Sequence, residues 1–225
     1  MSDKICVVVG VGPMMGEALA RAFGGAGYRL VLMARTPSKL AALAEELGAE
    51  TIACDVTDDH SVIAAFAEVA DRVGPVHTVL WNVGSGVFGT LDDVGVDGLE
   101  LAWRTNVRGL FVAAQQVTPA MRDAGDGAIL VTGATASRRG KPFTTAFAAG
   151  KAAQRSLCQS LARQLGPEGI HVALMILDAV VAPVGAEEPK YLQPTDAAQT
   201  YLHVAQQPRS TWTFELELRP SVESW

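Results

Sequence analysis

A glycine-rich segment near the start of the chain has the composition of a phosphate-binding turn. Gly10-Val11-Gly12-Pro13-Met14-Met15-Gly16 follows the apolar run Ile5–Val9 and precedes an alanine-rich stretch. Glycines let the backbone turn tightly and let a phosphate approach the free N–H groups and positive dipole end of a helix. The GxGxxxG spacing is one residue longer than the dinucleotide-binding GxGxxG, so a turn without ligand is the alternative. Its place in the first strand–helix unit favours phosphate binding.

Arg35 stands at the end of the next apolar run, where a second ligand contact is expected. An acidic residue at this place would hydrogen-bond a ribose 2′-hydroxyl, and the sequence has none there. The guanidinium of Arg35 suits a 2′-phosphate instead, which favours NADP over NAD. The alternative interpretation is an exposed arginine that is only solvated.

Four more segments place polar or glycine residues after predicted strands or inside predicted helices. They are Cys54-Asp55-Val56, Trp81-Asn82-Val83-Gly84, Thr105-Asn106-Val107-Arg108-Gly109 and Phe147-Ala148-Ala149-Gly150-Lys151. With the glycine turn, and in this order, they make the chain resemble the short-chain dehydrogenase/reductase family over nearly its whole length. The resemblance implies an oxidoreductase that moves a hydride between a nicotinamide cofactor and a carbonyl or alcohol.

The resemblance also implies a role for each matching residue. In the family, the carboxylate at the Asp55 position and the backbone amide of the next residue, here Val56, hold the adenine ring. The turn that matches Asn82-Val83-Gly84 packs beside the cofactor. Asn106 matches the helix asparagine of the catalytic tetrad, which holds a water of the proton relay. Lys151 matches the lysine that binds the ribose and lowers the pKa of the catalytic tyrosine.

Two catalytic positions of the family pattern carry residues without a hydroxyl. Phe147 occupies the position of the tyrosine that exchanges the substrate proton. Thirteen residues upstream, where the serine that orients the carbonyl is expected, stands Ala134. Phenylalanine cannot exchange a proton, and the loss of a positioned acid typically removes about 10²–10⁴-fold of rate. We therefore expect an altered or attenuated proton relay.

Other side chains nearby are candidates for the missing chemistry. Hydroxyls that could orient a carbonyl are carried by Thr135, Ser137, Thr144 and Thr145. For each of them, capping or a local backbone hydrogen bond is the alternative. Lys151 lies one helical turn from Phe147 and could polarise a carbonyl, although contact with the cofactor is the interpretation we favour. Asn106 could likewise only bond to backbone.

Further residues around the expected cofactor depart from the family pattern. Met14 stands at the second glycine of the turn, where its side chain would lie near the pyrophosphate, unless it is ordinary packing. Leu177-Asp178 replaces the Pro-Gly pair beside the nicotinamide. Asp178 is therefore expected to bring negative charge towards the carboxamide, with a plain loop carboxylate as the alternative. Val180, on the same loop, completes the predicted cofactor-binding set.

Apolar runs alternate with stretches of helical spacing along the chain. Strands are predicted at Ile5–Val9, Arg29–Ala34, Thr51–Cys54, Thr78–Asn82, Ala128–Thr132, Val172–Leu177 and Phe214–Leu218. Helices are predicted over Glu17–Phe23, Ser38–Leu47 with Ser38 as N-cap, Asp58 to about Val73, Val96–Met121, Thr144–Leu165 and Thr195 to about Gln206. This order predicts an α/β fold, a single-domain Rossmann-type doubly wound parallel sheet of about seven strands with helices on both faces.

Local patterns add three expectations. Ile63, Phe66 and Val69 have the three-to-four spacing of one helix face. In the last strand apolar and acidic residues alternate, which predicts an edge with Glu215 and Glu217 on its wet face. The stretch at about 182–194, which closes over the substrate in the family, is short, so an open cleft or one completed by another subunit is expected.

Composition and charge exclude several classes of protein. The 225 residues are 49% hydrophobic and 19% charged, which excludes a disordered or fibrous chain. Eighteen basic and 24 acidic residues give a net charge of −6, which is wrong for a nucleic acid or an anionic membrane surface. No apolar run reaches the ~18 residues of a membrane-spanning helix. We expect one domain over residues 1–225.

Cysteine and histidine usage predicts neither disulfides nor a metal site. Cys6, Cys54 and Cys158 are odd in number, widely spaced and inside apolar stretches, so they are expected to be reduced core residues. The four histidines are scattered without metal-ligand spacing. The first residues lead into a strand without a signal or transit peptide, which predicts a cytoplasmic location. The resemblance implies a homodimer or homotetramer packed through the long helices at about 96–121 and 144–165.

The sequence therefore predicts an NADP(H)-dependent oxidoreductase of the short-chain type, acting on a small carbonyl or alcohol with an altered proton relay. Phe147 together with Ala134 motivates the alternative, a non-catalytic NADP-binding protein that serves as a sensor or partner subunit. A methyltransferase also has a glycine turn after its first strand. Arg35 is wrong for the ribose of its cofactor, however, and Asn106 and Lys151 would stay unexplained.

Overall fold

Seven parallel strands form a single sheet in residues 4–223, which are the residues that the computed structural model describes. The strands are β1 (Ile5–Val9), β2 (Arg29–Ala34), β3 (Glu50–Ala53), β4 (Val76–Trp81), β5 (Gly127–Ala134), β6 (Ile170–Leu177) and β7 (Glu215–Leu218). They pair in the order β3-β2-β1-β4-β5-β6-β7. The chain moves outward in one direction from β1 and in the other from β4. Ligands of such sheets bind at this switch point, outside the carboxyl ends of the strands.

Helices cover both faces of the sheet. They are α1 (Met15–Gly25), α2 (Ala41–Leu47), α3 (Asp59–Arg72), α4 (Val96–Trp103), α5 (Gly109–Ala124), α6 (Thr145–Leu165) and α7 (Pro194–Ala205). Side chains of β1 point alternately to the two faces. Val7 and Val9 pack with α3, α5 and α6 in one buried cluster, and Cys6 and Val8 pack with α1 and α7 in the other. The predicted doubly wound parallel sheet is confirmed. Within residues 4–223, every helix is too short or too polar to span a bilayer.

Most predicted elements are present with ends shifted by a few residues, and β1 and β2 have the predicted bounds. The helical segment predicted over Val96–Met121 is not one regular helix, because the π-helical turn Arg104–Arg108 separates α4 from α5. The prediction of Ser38 as an N-cap is wrong. A 3₁₀ turn, Pro37–Leu40, precedes α2, and no side chain caps either of them.

The start of α3 is as predicted, but its buried face is not. Asp58 caps the helix by accepting a hydrogen bond from the backbone N–H of His60 at 3.0 Å. Phe66 and Val69 are buried, whereas Ile63 is 42% exposed and Val62 takes the core position instead. The buried face therefore differs from the predicted one at a single position, Ile63, and Phe66 and Val69 lie on it as expected.

The last strand, β7, is at the edge of the sheet, but its acidic residues do not face water. Glu215 is paired with Arg155 of α6 and with Arg138, and Glu217 is paired with Arg138 at 2.6 Å. Their side chains are 15% and 18% exposed. The prediction that Glu215 and Glu217 face water is therefore wrong. The arginines lie over the edge of the sheet and neutralise the two carboxylates.

Candidate functional site

A cavity of about 470 Å³ lies at the carboxyl ends of the central strands, where the strand order switches. Its volume is within the usual range for a small-molecule site. Of the predicted cofactor-binding residues it is lined by Gly10, Gly12, Arg35, Asp55, Val56, Asn82, Val83 and Gly84. Segments far apart in the sequence are thus brought together by the parallel sheet, because its strands all end at this edge.

The glycine turn fits tightly against the end of β4. Gly10 has a φ of +83°, and a Cβ on it would lie 2.5 Å from the backbone oxygen of Asn82. The side-chain amide of Asn82 donates to the carbonyl of Gly10 at 3.1 Å. Gly16 is buried, and a Cβ there would be 2.7 Å from Val11 Cα. Gly12, in contrast, has open space where its Cβ would be, on the cavity side of the turn.

The two methionines of the turn have different surroundings. Met15 is buried and packs with the α1 side of the core, so its side chain does not line the cavity. Met14 is 40% exposed, immediately precedes α1 and makes no side-chain cap. The first turn of α1 is therefore not capped by the side chain before it.

Asp55 is held as an ionised acceptor beside the cavity. The backbone N–H and the hydroxyl of Thr57 donate to its carboxylate at 3.0 and 2.8 Å. These hydrogen bonds lower the pKa of Asp55. Cys54 also lines the cavity, but burial and the neighbouring Asp55 raise the pKa of its thiol to about 12. The thiol is therefore protonated at neutral pH and is a poor nucleophile.

Asn106 lies in the π-helical turn between α4 and α5 and is fully buried. Its side-chain amide donates to the carbonyl of Ala102 at 2.8 Å and to the hydroxyl of Ser85 at 3.1 Å. Gly150 of α6 lets the helix approach this turn, since a Cβ there would lie 3.0 Å from Ala102 O and Asn106 Nδ2. The Asn106 side chain therefore bonds to backbone and to Ser85, and its role in a proton relay stays a prediction.

Lys151 is buried beneath the cavity and not inside it. Its Nζ donates to the carbonyls of Val83 at 3.1 Å and Thr132 at 2.8 Å, and to the side chain of Gln154 at 3.0 Å. A Cβ on Gly84, which lines the cavity, would be 3.8 Å from Lys151 Cε and Nζ. Burial lowers the pKa of Lys151 to about 7.

The two positions without a hydroxyl lie at the ends of neighbouring elements. Ala134 is the last residue of β5, and Phe147 lies in the first turn of α6. The Phe147 ring is half-buried and packs on the ring of Phe88, with centroids 4.8 Å apart. This side of the site is therefore aromatic, without a proton donor at either position.

Three of the four candidate hydroxyls near these positions are used in hydrogen bonds within the protein. Thr135 donates to Asp178 and to the carbonyl of Leu177. Thr144 donates to the carbonyl of Lys141, and Thr145 donates to that of Pro142, both at 3.0 Å. The hydroxyl of Ser137 is buried and has no partner within residues 4–223. Local backbone bonds therefore account for Thr144 and Thr145, whereas Thr135 joins the end of β5 to the end of β6.

The carboxylate of Asp178 is paired with neighbouring cations and is not a free charge beside the cavity. It forms ion pairs with Arg139 at 3.1 Å and Arg219 at 2.9 Å and accepts a hydrogen bond from Thr135. Burial by itself would raise its pKa, but Thr135 and the two arginines outweigh it and lower the pKa. The expected negative charge towards a carboxamide is thus neutralised. Val180, on the same loop, is 67% exposed and does not line the cavity.

Sequence reasoning missed three polar residues around the site, Thr132, Gln154 and Tyr201. The hydroxyl of Thr132 donates to Asn82 Oδ1 at 3.0 Å and lies 2.9 Å from that of Tyr201. Tyr201 is fully buried and does not line the cavity, so it does not replace the missing acid. Gln154 could have been found, because it falls in the three-to-four spacing of the buried positions of α6.

Comparison with known proteins gives a consistent result. The family model described as short chain dehydrogenase matches residues 4–191. An uncharacterized oxidoreductase of Staphylococcus aureus strain USA300 is 26% identical over 227 residues, with 98% of each chain covered. A crystal structure of a short-chain dehydrogenase from Rhodopseudomonas palustris is similar with a TM-score of 0.86 and 32% identity, covering 98% of this chain and 100% of that one. An alcohol dehydrogenase from the archaeon Thermococcus sibiricus, complexed with 5-hydroxy-NADP, has a TM-score of 0.89 and 27% identity, with 98% of each chain covered.

Lys151 should make the free energy of unfolding depend on pH. Between about pH 7 and its ordinary pKa of 10.5, the unfolded chain binds a proton that the folded chain does not, so this contribution to stability rises with pH. Below about pH 7 both states bind the proton, and the penalty is constant. In Lys151→Met this component is absent. We expect urea unfolding to give a wild-type-minus-variant difference that rises by about 2 kcal/mol from pH 7 to pH 9. A difference that is constant with pH would contradict the prediction.

Proposed function

The chain belongs to the short-chain dehydrogenase family, and from this membership we propose that it is an NADP(H)-dependent oxidoreductase with an attenuated proton relay. The observation that carries the proposal is the cavity at the switch point of the sheet. It is lined by the glycine turn, Arg35, Asp55 and the Asn82–Gly84 segment. Its substrate is a small carbonyl compound or alcohol.

The residues around the cavity fit a dinucleotide. Gly12 leaves open space on the cavity side of the turn, so a pyrophosphate can approach the backbone there. Asp55 is ionised and accepts hydrogen bonds, which suits the amino group of an adenine. Arg35 is exposed at the rim, where its guanidinium can pair with a 2′-phosphate. The 5-hydroxy-NADP of the Thermococcus sibiricus structure supports the choice of NADP.

Proton transfer to or from the substrate is the step for which this chain lacks the usual side chains. A bound nicotinamide supplies or accepts the hydride. Phe147 and Ala134 give this side of the site an apolar surface, and neither can hold a proton. The hydroxyls of Thr135, Thr144 and Thr145 already donate hydrogen bonds to other groups of the protein. We therefore infer that the proton comes from solvent, with a rate about 10²–10⁴-fold below that of a site with a positioned acid.

A second candidate function is NADP(H) binding without turnover, as a sensor or partner subunit. The packing of Phe147 on Phe88 favours it, because the position of the acid is filled by an aromatic contact. Both candidates bind the nucleotide, and they differ in whether substrate is converted. A panel of carbonyl and alcohol compounds that shows no turnover in the presence of bound NADPH would favour the second.

Self-association and a cytoplasmic location complete the proposal. Large apolar side chains are exposed along α4 and α5, namely Val96, Leu99, Trp103 and Phe111. Trp103 and Phe111 share a groove with Leu157 of α6. We propose that a second copy of the chain covers this face, giving a dimer or tetramer, since exposed apolar patches mark interaction sites. The three buried free thiols suit the reducing cytoplasm.

Gly12→Ala should weaken nucleotide binding without weakening the fold. Its Cβ would meet no atom within 4 Å in the ligand-free chain, so thermal unfolding should be unchanged. A bound pyrophosphate would contact the added methyl group, and we expect NADPH affinity, measured by fluorescence titration, to fall about tenfold. Gly25→Ala, at the far end of α1 and equally open, is the control and should bind NADPH like the wild type. Equal affinities of all three proteins would place the pyrophosphate elsewhere.

Arg35→Ser should lower the affinity for NADPH and leave that for NADH unchanged. The variant loses one charge-assisted contact to the 2′-phosphate, which we expect to cost about tenfold or more in affinity. Arg163→Ser, an exposed arginine of α6, makes the same change in net charge and serves as the control. A wild type that binds both nucleotides with equal weak affinity would refute the preference for NADP.

The double variant Phe147→Tyr with Ala134→Ser should gain activity if the rest of the site is intact. It restores a proton donor and an orienting hydroxyl, and we expect a rise in NADPH-dependent carbonyl reduction of about 10²-fold or more. Phe143→Tyr, which adds a hydroxyl to an exposed neighbouring aromatic, is the control and should show no gain. A double variant that binds NADPH and remains inactive would favour the non-catalytic candidate.

Equilibrium sedimentation at micromolar concentration should show a dimer or tetramer. Trp103→Lys places a charge on the proposed interface and should shift the protein to monomer, because an unpaired charge there is desolvated. Ile63→Lys, an exposed apolar residue on α3, should leave the assembly unchanged. A wild type that sediments only as a monomer would refute self-association.

A further inference from the structure

Gln154 links two residues of the candidate site from inside the protein. It lies on α6 one turn after Lys151 and is completely buried. Its Oε1 accepts a hydrogen bond from Lys151 Nζ at 3.0 Å, and its Nε2 donates to the backbone carbonyl of Asn106 at 2.9 Å. The orientation of the amide is fixed, because a flipped amide would face the ammonium with N–H groups and the carbonyl with an oxygen.

When Lys151 is protonated, this arrangement uses all three N–H groups of its ammonium. The acceptors are the carbonyls of Val83 and Thr132 and the side chain of Gln154. The cavity is nevertheless close, since Val83 and Gly84 line it and Nζ lies beneath Gly84. Lys151 must therefore give up one of its acceptors before it can donate to a ligand in the cavity.

Of the three acceptors, Gln154 is the one that a substitution can remove, because it contributes a side chain. Val83 and Thr132 contribute backbone carbonyls, which any residue at those positions would present at the ends of β4 and β5. Gln154 contributes a side chain, and its second hydrogen bond to Asn106 fixes it against the π-helical turn. Its removal would free one N–H of Lys151 without disturbing the strand ends.

We propose that Gln154 is a positioning residue that locks Lys151 in its inward position and thereby lowers the affinity of the cavity for a dinucleotide. The inference rests on the proposed function, because the group that Lys151 would otherwise meet is a ribose of NADP(H). Gln154 acts through Lys151 and does not itself line the cavity.

Two variants separate the effect of the hydrogen bond between Gln154 and Lys151 from the effect of the volume of the Gln154 side chain. Gln154→Met keeps a similar volume but has no strong hydrogen-bonding end, whereas Gln154→Glu keeps the acceptor for Lys151. In the ligand-free protein, reductive methylation with formaldehyde and a borane, followed by mass spectrometry, reports how accessible the Lys151 amine is. We expect methylation of Lys151 to be at least tenfold faster in Gln154→Met and unchanged in Gln154→Glu. Gln164→Met, an exposed glutamine of the same helix, should behave as the wild type.

Cys158 distinguishes release of Lys151 from loosening of α6. It is a buried free thiol on the same helix, one turn after Gln154. In Gln154→Met it should stay as unreactive towards iodoacetamide as in the wild type. Faster reaction of both Cys158 and Lys151 would show that the helix has loosened, which overturns the proposal. An unchanged methylation rate of Lys151 overturns it as well.

Fluorescence titration with NADPH then tests the consequence for binding. We expect Gln154→Met to bind about tenfold more tightly than the wild type and Gln154→Glu to show no gain, since one charge-assisted contact is returned to the ligand. Release of Lys151 with measurable but unchanged affinity would overturn the effect on binding. Release of Lys151 in a protein that binds no NADPH in any form would refute the proposed function and leave the lock standing.

Discussion

The site is organised around one buried amino group, Nζ of Lys151. A charge taken out of water must find hydrogen-bonding partners or lose its proton. Here the partners are a carbonyl after β4, a carbonyl in β5 and the amide of Gln154, which in turn holds the π-helical turn through Asn106. One side chain therefore fixes two central strand ends, α6 and the α4–α5 junction relative to each other. The floor of the cavity has its position because these four elements meet there.

A second chain of polar contacts ties the glycine turn to the same strand ends. Asn82 donates to the carbonyl of Gly10 and accepts from the hydroxyl of Thr132, which also contacts Tyr201 of α7. The two networks meet at Thr132, because its carbonyl binds Lys151 and its hydroxyl binds Asn82. The backbone ladders set the register of the strands. These side-chain contacts add fixed connections between strand ends and the glycine turn at the edge where the cavity lies.

The sequence could predict those features that depend on interactions between residues close together in the chain. Continuous apolar runs predicted the strands, and the Asp58 cap depends on residues two positions apart. Cavity residues such as Asp55 and Asn82 are predicted from the family resemblance, and they lie together because parallel strands all end at one edge of the sheet. The ion pairs of Asp178 with Arg219 and of Glu215 with Arg155 could not be predicted, since each joins residues far apart in the sequence. The π-helical turn likewise depends on contacts between Asn106 and its neighbours that periodicity does not report.

The residues that match the family pattern here are also those that hold the structure together. A side chain at Gly10 would collide with the backbone of Asn82, and removal of Lys151 would leave buried carbonyls unpaired. The absence of a hydroxyl at Ala134 and Phe147 does not destabilise the fold in this way, because an apolar group of similar shape leaves no buried polar atom without a partner. Phe147 even gains an aromatic contact with Phe88. Gly10, Asn82 and Lys151 therefore stabilise the strand ends at the cavity whether or not the chain turns over a substrate, and turnover depends on the source of the proton.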